Sequence, residues 1–181
     1  MSQDERVALV DEHGAVVGSA ARSVVRRDNL RHAFTAVLVR DRAGRIYLHR
    51  RSDTKDWAPG HWDVAAGGVM TAGEAPYDSA LRELEEELGV AGVELVALGT
   101  RRYEDATTRC FEHVYETVWD GPVRHQPEEV VEGRWVSFDE LAAVLADPGV
   151  LFVPDTRGLL EGLAADDVSD YGTLALGPRR A

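Results

Sequence analysis

The sequence predicts a mixed α/β (α+β) fold in a single domain. Segments rich in β-branched residues and bounded by turn residues recur along the first two thirds of the chain, and three helical segments alternate with them or follow them. A chain of 181 residues that is 44% hydrophobic is long enough to bury a sizeable core. We therefore expect one domain over residues 1–165 and a loosely ordered tail over residues 166–181.

The first third of the chain predicts five strands and one loop. The strands lie at residues 7–10, 15–18, 33–39, 45–49 and 63–66. The first four pair as two hairpins, because residues 13–14 and 43–44 each end in the glycine that tight turns favour. Residues 53–61 contain Pro and Gly and predict a loop. Residues 1–30 are thus a hairpin and the segment that leads into the next one.

Residues 76–88 predict an amphipathic helix. Pro76 suits the first helical position, where its missing N–H costs nothing, and Gly89 suits the position just after the last turn. An apolar stripe with the spacing i, i+4, i+7 and i+11 consists of Tyr77, Leu81, Leu84 and Leu88. This stripe predicts that one face of the helix packs on the core while the opposite face borders an acidic cleft.

Three carboxylates project from that opposite face. Glu83, Glu86 and Glu87 stand at i, i+3 and i+4, so their side chains are neighbours. Like charges at this spacing repel one another and destabilise an isolated helix. Hard divalent cations bind such oxygen ligands, and Mg²⁺ typically takes one or two carboxylates together with substrate phosphates. The three residues therefore predict a metal site that handles phosphate, in preference to the solvated acidic face of most Glu-rich helices.

The remainder of the chain predicts three more strands and two more helices. The strands lie at residues 94–98, 110–119 and 134–136. Ser137 and Glu140 have the spacing of a capping box that opens a helix over residues 139–145. A last helix is expected over residues 154–164, before the tail.

Residues 68–90 resemble the Nudix box. The pattern of that box is Gly, five residues, Glu, seven residues, Arg-Glu, an aliphatic residue, any residue, Glu-Glu, any residue, Gly and an aliphatic residue. Every defined position is filled, by Gly68, Glu74, Arg82, Glu83, Leu84, Glu86, Glu87, Gly89 and Val90. Nine matches at fixed spacing are far more specific than a lone glycine motif.

The resemblance implies both a fold and a reaction. The fold is an α/β/α sandwich with a mixed β-sheet. The reaction is hydrolysis of a nucleoside diphosphate linked to another group, with Mg²⁺ or Mn²⁺ as cofactor. Carried over to this chain, the resemblance makes Glu83, Glu86 and Glu87 the metal ligands and catalytic residues.

Other residues support or extend this site. The resemblance makes Glu74 and Arg82 a supporting pair, and Gly68 the turn residue that lets the strand approach the helix. Arg51 ends a strand and is our candidate for bidentate contact with a substrate phosphate, with surface charge as the equal alternative. Trp57 is a candidate for stacking on a base, although aromatic residues in Pro/Gly loops more often anchor the loop.

The general base varies within the family, being a box Glu in some members and an acid on a distant loop in others. Glu128, Glu129 and Glu132 are the distant candidates, and we select Glu129. Solvated loop acids are the equally weighted alternative for this group.

A second resemblance, to the isopentenyl-diphosphate isomerase branch of the superfamily, covers about residues 5–164 and is carried by residues 7–18, 29–51 and 55–63. That branch uses a catalytic Cys where this chain has Gly67, a His ligand where it has Val69, and a catalytic Glu where it has Cys110. His32 and Glu112 do match metal ligands of the isomerases. Gly and Cys cannot perform the proton transfers of a thiol and a carboxylate, so we favour hydrolysis. Isomerisation and a non-catalytic nucleotide-binding module are the alternatives.

Composition narrows the partners and the compartment. A net charge of −12 argues against nucleic-acid binding, which requires a basic face, but not against a phosphate substrate, because a bound metal inverts the local sign. A single cysteine allows no intrachain disulfide and suits a reducing cytosol. Neither a signal region nor a membrane-length apolar run is present. We expect a cytoplasmic protein that acts on a small diphosphate, without a membrane partner; the sequence does not choose between a monomer and a homodimer.

Overall fold

The computed structural model describes residues 5–174. Its strands are β1 (Arg6–Val10), β2 (Val16–Ala21), β3 (His32–Arg40), β4 (Ile46–Arg51), β5 (Trp62–Asp63), β6 (Ala65–Val69), β7 (Val96–Glu104), β8 (Arg109–Val118) and β9 (Val130–Val136). Its helices are α1 (Arg22–Asp28), α2 (Pro76–Leu88), α3 (Phe138–Ala146) and α4 (Pro154–Ala165), and a 3₁₀ turn follows at Ser169–Thr173. Among residues 5–174, no helix is long and apolar enough to cross a membrane.

Strand β3 is the centre of a mixed sheet. It pairs antiparallel with β6 and parallel with β8 along most of its length. The β1–β2 hairpin joins it at one end, where Leu9 lies opposite His32, and β4 joins it at the other end, where Arg40 lies opposite Ile46. β7 extends the sheet beyond β8, whereas β5 and β9 flank β4. The predicted mixed α/β fold is confirmed.

The alternation of side chains along β3 divides the core into two layers. Val37 and Val39 point to the face covered by α2, where they meet Leu84 and Leu88. Ala36 and Leu38 point to the opposite face, which α3 and α4 cover. The residues that these two helices bury there are Leu141, Leu145, Leu159, Leu160 and Leu163. The sheet is therefore sandwiched between helices, as the resemblance implied.

Helix α2 begins and ends where the sequence predicts. Pro76 occupies its first turn, and Gly89 takes a left-handed conformation with φ 65° while its N–H donates to the carbonyl of Glu85. Leu84 and Leu88 are buried, but Tyr77 at the start of the stripe is exposed and packs edge-on against Tyr115. The apolar stripe thus packs on the core mainly through its C-terminal half.

Several element boundaries differ from the expectation. Helix α1 is absent from the prediction because its residues have neither an apolar period nor a side-chain cap. Strands β7 and β9 are longer than the apolar runs that identified them, since polar residues alternate along their exposed faces. The capping box of Ser137 and Glu140 is present in both directions.

The expectation of a loosely ordered tail from residue 166 onward is wrong for residues 169–174. Tyr171 is fully buried, and its hydroxyl donates to Glu116 at 2.7 Å. The guanidinium of Arg40 lies over the rings of Phe138 and Tyr171, at 4.9 and 5.9 Å from their centroids. Leu174 is buried in the same core. These contacts hold the segment against the sheet; residues 175–181 lie outside the described part of the chain.

Candidate active site

The contact between β6 and α2 is so close that a side chain at Gly68 would have to displace the carboxylate of Glu83. A Cβ atom at this position would lie 2.6 Å from the carboxylate carbon of Glu83. The prediction that Gly68 lies in a turn is wrong, because it is a strand residue of β6 that pairs with Thr35 of β3. The other part of the prediction agrees with the geometry, since the absence of a side chain is what lets the strand and helix approach.

Arg82 connects the loop before α2 to the carboxylates on the helix. Its guanidinium donates to both oxygens of Glu74, at 2.8 and 2.9 Å. The same group donates to Glu83 at 2.7 Å and to Glu86 at 3.3 Å. Glu74 also accepts the N–H of Thr71 at 3.1 Å, which closes the loop on itself. Arg82 therefore fixes two of the three predicted ligands in position, and the hydrogen bond to Glu74, followed by the charge of Glu83, raises its pKa.

The three helix carboxylates differ in their exposure. Glu83 and Glu87 are 1% and 2% exposed, whereas the side chain of Glu86 is 46% exposed. Glu87 accepts the N–H of Gly67 at 3.1 Å, so the strand backbone also supports it. Burial, followed by the charge of Glu87, raises the pKa of Glu83 to about 7. Glu83 and Glu87 are thus two desolvated acids side by side, and their negative charge favours the binding of a cation.

The structure brings one of the three loop acids to the box. Glu129 lies with Glu83, Glu86, Glu87 and Gln126 around a cleft of about 330 Å³, which we call the carboxylate cleft. Glu132 is instead directed to Arg50, which donates to it at 2.7 Å from the neighbouring strand. Glu128 is exposed and lines a different cleft. Of the candidates for a distant base, Glu129 is the one with the required position.

Lys55 occupies the gap between Glu129 and the box. Its ammonium group contacts the carboxylate of Glu129 and lies 3.4 Å from Glu87. The side chain is 6% exposed, and this burial lowers its pKa. The prediction did not include Lys55, because a single lysine in a Pro/Gly loop has no periodic pattern that would mark it.

Arg51 and Trp57 are placed beside the loop that follows β4, not in the carboxylate cleft. Arg51 is buried, donates to the carbonyls of Trp57 and Ala58 at 3.0 and 3.3 Å, and lies 3.8 Å from Asp63. Trp57 packs under the guanidinium of Arg26, 5.9 Å from the ring centroid. These contacts make both residues anchors of the loop, and their predicted contacts with a substrate stay predictions.

A second group of buried acids lies on the other face of the sheet. Potential ligand atoms of Cys110, Glu112 and Asp155 lie within 4.8 Å of one another. The thiol of Cys110 donates to Glu112 at 3.4 Å. Burial and then the charge of Asp155 raise the pKa of Glu112 to about 8, and burial and then Asp63 raise that of Asp155 to about 6. Near neutral pH, Glu112 is therefore protonated, because burial disfavours its charged form.

The position that would need the isomerase cysteine has no room for a side chain. A Cβ atom on Gly67 would lie 1.9 Å from the carbonyl oxygen of Thr35 on the paired strand. His32, which matches an isomerase metal ligand, is buried and bonds through Nδ1 with the carbonyl of Leu30. Burial lowers the pKa of His32 to about 4. The backbone around Gly67 thus differs from what a catalytic thiol requires.

The NUDIX domain family model matches residues 29–154, which include all the box residues described above. The chain belongs to the Nudix family. The uncharacterised Nudix hydrolase orf19 of Rhodococcus erythropolis is 44% identical over 167 residues, 87% of this chain and 90% of the relative. The uncharacterised Nudix hydrolase YfcD of Escherichia coli K12 is 38% identical over 156 residues, covering 86% and 84%.

A solved structure has a similar fold. The crystal structure of DR0079 from Deinococcus radiodurans has a TM-score of 0.72 and 29% sequence identity, over 87% of this chain and 98% of that one. The prediction of a Nudix hydrolase is confirmed: this Nudix protein is an enzyme that hydrolyses pyrophosphate-containing compounds.

The contact at Gly68 predicts a selective loss of activity. In Gly68→Ala, the added methyl group displaces the Glu83 carboxylate, because the two would otherwise be 2.6 Å apart. We expect hydrolysis of a diphosphate to fall about tenfold or more, while the circular dichroism spectrum is retained. Gly18→Ala is the matched control, since a Cβ atom there meets nothing within 4 Å. Equal activity of the two variants would show that the contact does not position Glu83.

The buried acid pair predicts a pH-dependent stability. The pKa of Glu112 rises from 4.5 to about 8 on folding, so its contribution is complete below about pH 4.5 and is lost as the pH rises towards 8. The urea midpoint should therefore decrease between pH 5 and pH 8, in the presence of EDTA. Glu112→Gln, which stays neutral, should decrease less over this range. The assignment is contradicted if the urea midpoint of Glu112→Gln decreases as steeply as that of the wild type and that of the exposed control Glu85→Gln.

Proposed function

We propose that the protein is a Mg²⁺- or Mn²⁺-dependent hydrolase that cleaves the phosphoanhydride bond of a small diphosphate, linked to a nucleoside or of a related kind, by means of activated water. The observation that carries this proposal is the convergence of four carboxylates, from Glu83, Glu86, Glu87 and Glu129, on one cleft. Acids this close together are stable only with protons or cations to offset their charge.

The donor set fits a hard divalent cation. Glu83, Glu86 and Glu87 offer only oxygen atoms. Mg²⁺ and Mn²⁺ favour such ligands more strongly than Zn²⁺ does. The raised pKa of Glu83 marks a carboxylate whose charge is not compensated by Arg82 alone. Exposed Glu86 lies at the open side of the cleft, where a diphosphate would enter. We assign these three residues as the ligands.

The chain's own groups then have distinct roles in the reaction. When bound, the divalent cation neutralises the diphosphate charge and acidifies water. Arg82 keeps the carboxylates of Glu83 and Glu86 oriented through its hydrogen bonds. Glu129 accepts the proton of the attacking water as the new P–O bond forms and the bond to the leaving phosphate breaks. Lys55, which contacts Glu129, would hold that carboxylate in place beside the helix carboxylates.

The two alternatives are less well supported. An isomerase needs a thiol at residue 67, where the carbonyl of Thr35 leaves no space for a side chain. A non-catalytic module would not need the complete set of box acids, nor Arg82 to hold them. We further propose a cytoplasmic enzyme with a small-molecule diphosphate partner and no nucleic-acid or membrane partner, because the chain is acidic and has a single buried cysteine.

The function itself is tested by a hydrolysis screen. Nucleoside diphosphates and triphosphates, dinucleotides, nucleotide sugars, coenzyme A and prenyl diphosphates are incubated with the protein and Mg²⁺, and the phosphorylated products are identified. We expect cleavage between two phosphorus atoms in at least one class. Conversion of isopentenyl to dimethylallyl diphosphate without cleavage would support the isomerase instead. An absence of turnover across the panel would favour the binding module.

Glu86 offers the sharpest test of the metal ligands, because it is exposed and its replacement disturbs little packing. Glu86→Gln removes one anionic ligand and should lower turnover about 100-fold or more, with an unchanged unfolding midpoint. Glu85→Gln is the matched control, since Glu85 is exposed on the same helix but is not in the carboxylate cleft. Rates of Glu86→Gln within a few-fold of the control at saturating Mg²⁺ contradict the assignment.

A further inference from the structure

A second cleft, of about 430 Å³, lies between α1 and the loop that follows β4. We call it the α1 cleft, and its lining includes Arg22, Arg26, Thr54, Lys55, Asp56 and Glu129. Glu129 lines the carboxylate cleft as well, so the two clefts adjoin at this residue. The two clefts are therefore neighbours, and the contact between Glu129 and Lys55 lies where they meet.

The α1 cleft holds more positive charge than its nearest acid neutralises. Arg22 and Arg26 are four residues apart on α1, so their side chains share one face of the helix. Asp56 accepts two hydrogen bonds from Arg22, both at 3.0 Å. It lies 3.7 Å from Nε of Arg26, which is an ion pair without a hydrogen bond. One carboxylate thus faces two guanidinium groups, in a chain whose net charge is −12.

Among residues 5–174, no acid forms a hydrogen bond with Arg26; Asp155, at the start of α4, acts on it only through its charge. Glu128 is exposed, where water and salt screen its charge. Glu129 is in contact with Lys55. Although burial opposes it, the hydrogen bond from Arg22 lowers the pKa of Asp56 to about 2, so Asp56 is fully ionised and already committed to Arg22.

Arg26 has hydrogen-bonding capacity that the described residues leave unused. Its Nη1 donates to Thr108 at a long 3.3 Å, and its Nε is buried without a hydrogen-bond partner among residues 5–174. The guanidinium packs over Trp57, which orients its plane. Burial lowers the pKa of Arg26, which is the signature of a cation that has lost water and gained too few partners. A bound anion would supply Arg26 with the hydrogen-bond partner and the opposite charge that it lacks.

We propose that the α1 cleft binds a phosphate monoester group of the substrate, on the part of the molecule that is not hydrolysed, with Arg26 as its main contact. The planar guanidinium of Arg26 presents several N–H donors, which match the several oxygens of a phosphate better than a single point charge does. The substrate class is then a diphosphate that carries a further phosphate on its other moiety. That this anion belongs to the substrate rests on the proposed hydrolase function; the anion site itself does not.

The test uses inorganic phosphate as the probe and the full-length protein in EDTA, so that no hydrolysis is involved. Trp57 reports on the cleft, because its ring lies against Arg26 and its indole N–H is buried without a hydrogen-bond partner among the described residues. Its indole NMR signal is assigned from the loss of a peak in Trp57→Phe. We expect phosphate to shift this signal in a saturable manner, and sodium chloride at equal ionic strength not to do so.

Variants on one helix separate a binding role from a structural one. Arg26→Gln should weaken phosphate binding about tenfold or more, while Arg26→Lys, which keeps the charge, should retain part of it. Arg27→Gln is the matched control, since Arg27 is exposed on α1 and pairs with Asp28. Phosphate binding that is equal in the wild type and both Arg26 variants, or no saturable shift at all, overturns the proposal.

The hydrolase and the anion site fail independently. Glu86→Gln should lose turnover but keep the phosphate-dependent shift, because Glu86 does not line the α1 cleft. A protein that binds phosphate through Arg26 but hydrolyses no diphosphate would keep the anion site and remove the proposed reaction. A protein that hydrolyses a diphosphate but shows no phosphate-dependent shift of its Trp57 signal would keep the proposed reaction and remove the anion site.

Discussion

The close approach of β6 to α2 is the constraint on which the site depends. It places a carboxylate, Glu83, against the backbone at Gly68 and takes that acid out of water. A charge in such a place is expensive unless it is paired, and Arg82 pairs it while also binding Glu74 and Glu86. Helix, loop and strand are thus held together by the same group that aligns the proposed metal ligands. The proposed site and the local packing share one set of contacts.

The charge of the buried acids is offset in different ways on the two faces of the sheet. On the α2 face, the acids are offset by Arg82 and Lys55 and line the carboxylate cleft, where we propose that a cation and a diphosphate bind. On the opposite face, burial raises the pKa of Glu112 to about 8, so this acid keeps a proton near neutral pH. Glu112, which matches a metal ligand of the isomerases, lies on this second face. The catalytic thiol of an isomerase would have to stand at Gly67, where there is no space for a side chain.

The predictions succeeded where function depends on local spacing. The box residues, the caps of α2 and the capping box of α3 all follow from side chains within one or two turns of each other. They were less accurate where an element is defined by distant contacts. Helix α1 and the 3₁₀ turn around Tyr171 lack local patterns, because their stability comes from packing against residues far along the chain.

By itself, the sequence determined the family, the reaction type and the three helix carboxylates, because i, i+3 and i+4 spacing fixes their shared face whatever surrounds the helix. Only the tertiary structure decided what meets them. It placed Glu129 rather than Glu132 beside the helix carboxylates, brought Lys55 into contact with Glu129, and bonded Arg51 to the carbonyl of Trp57. It also joined α1 to the loop after β4. The reason is physical: strand register and loop closure decide which distant charges meet, and neither follows from local spacing.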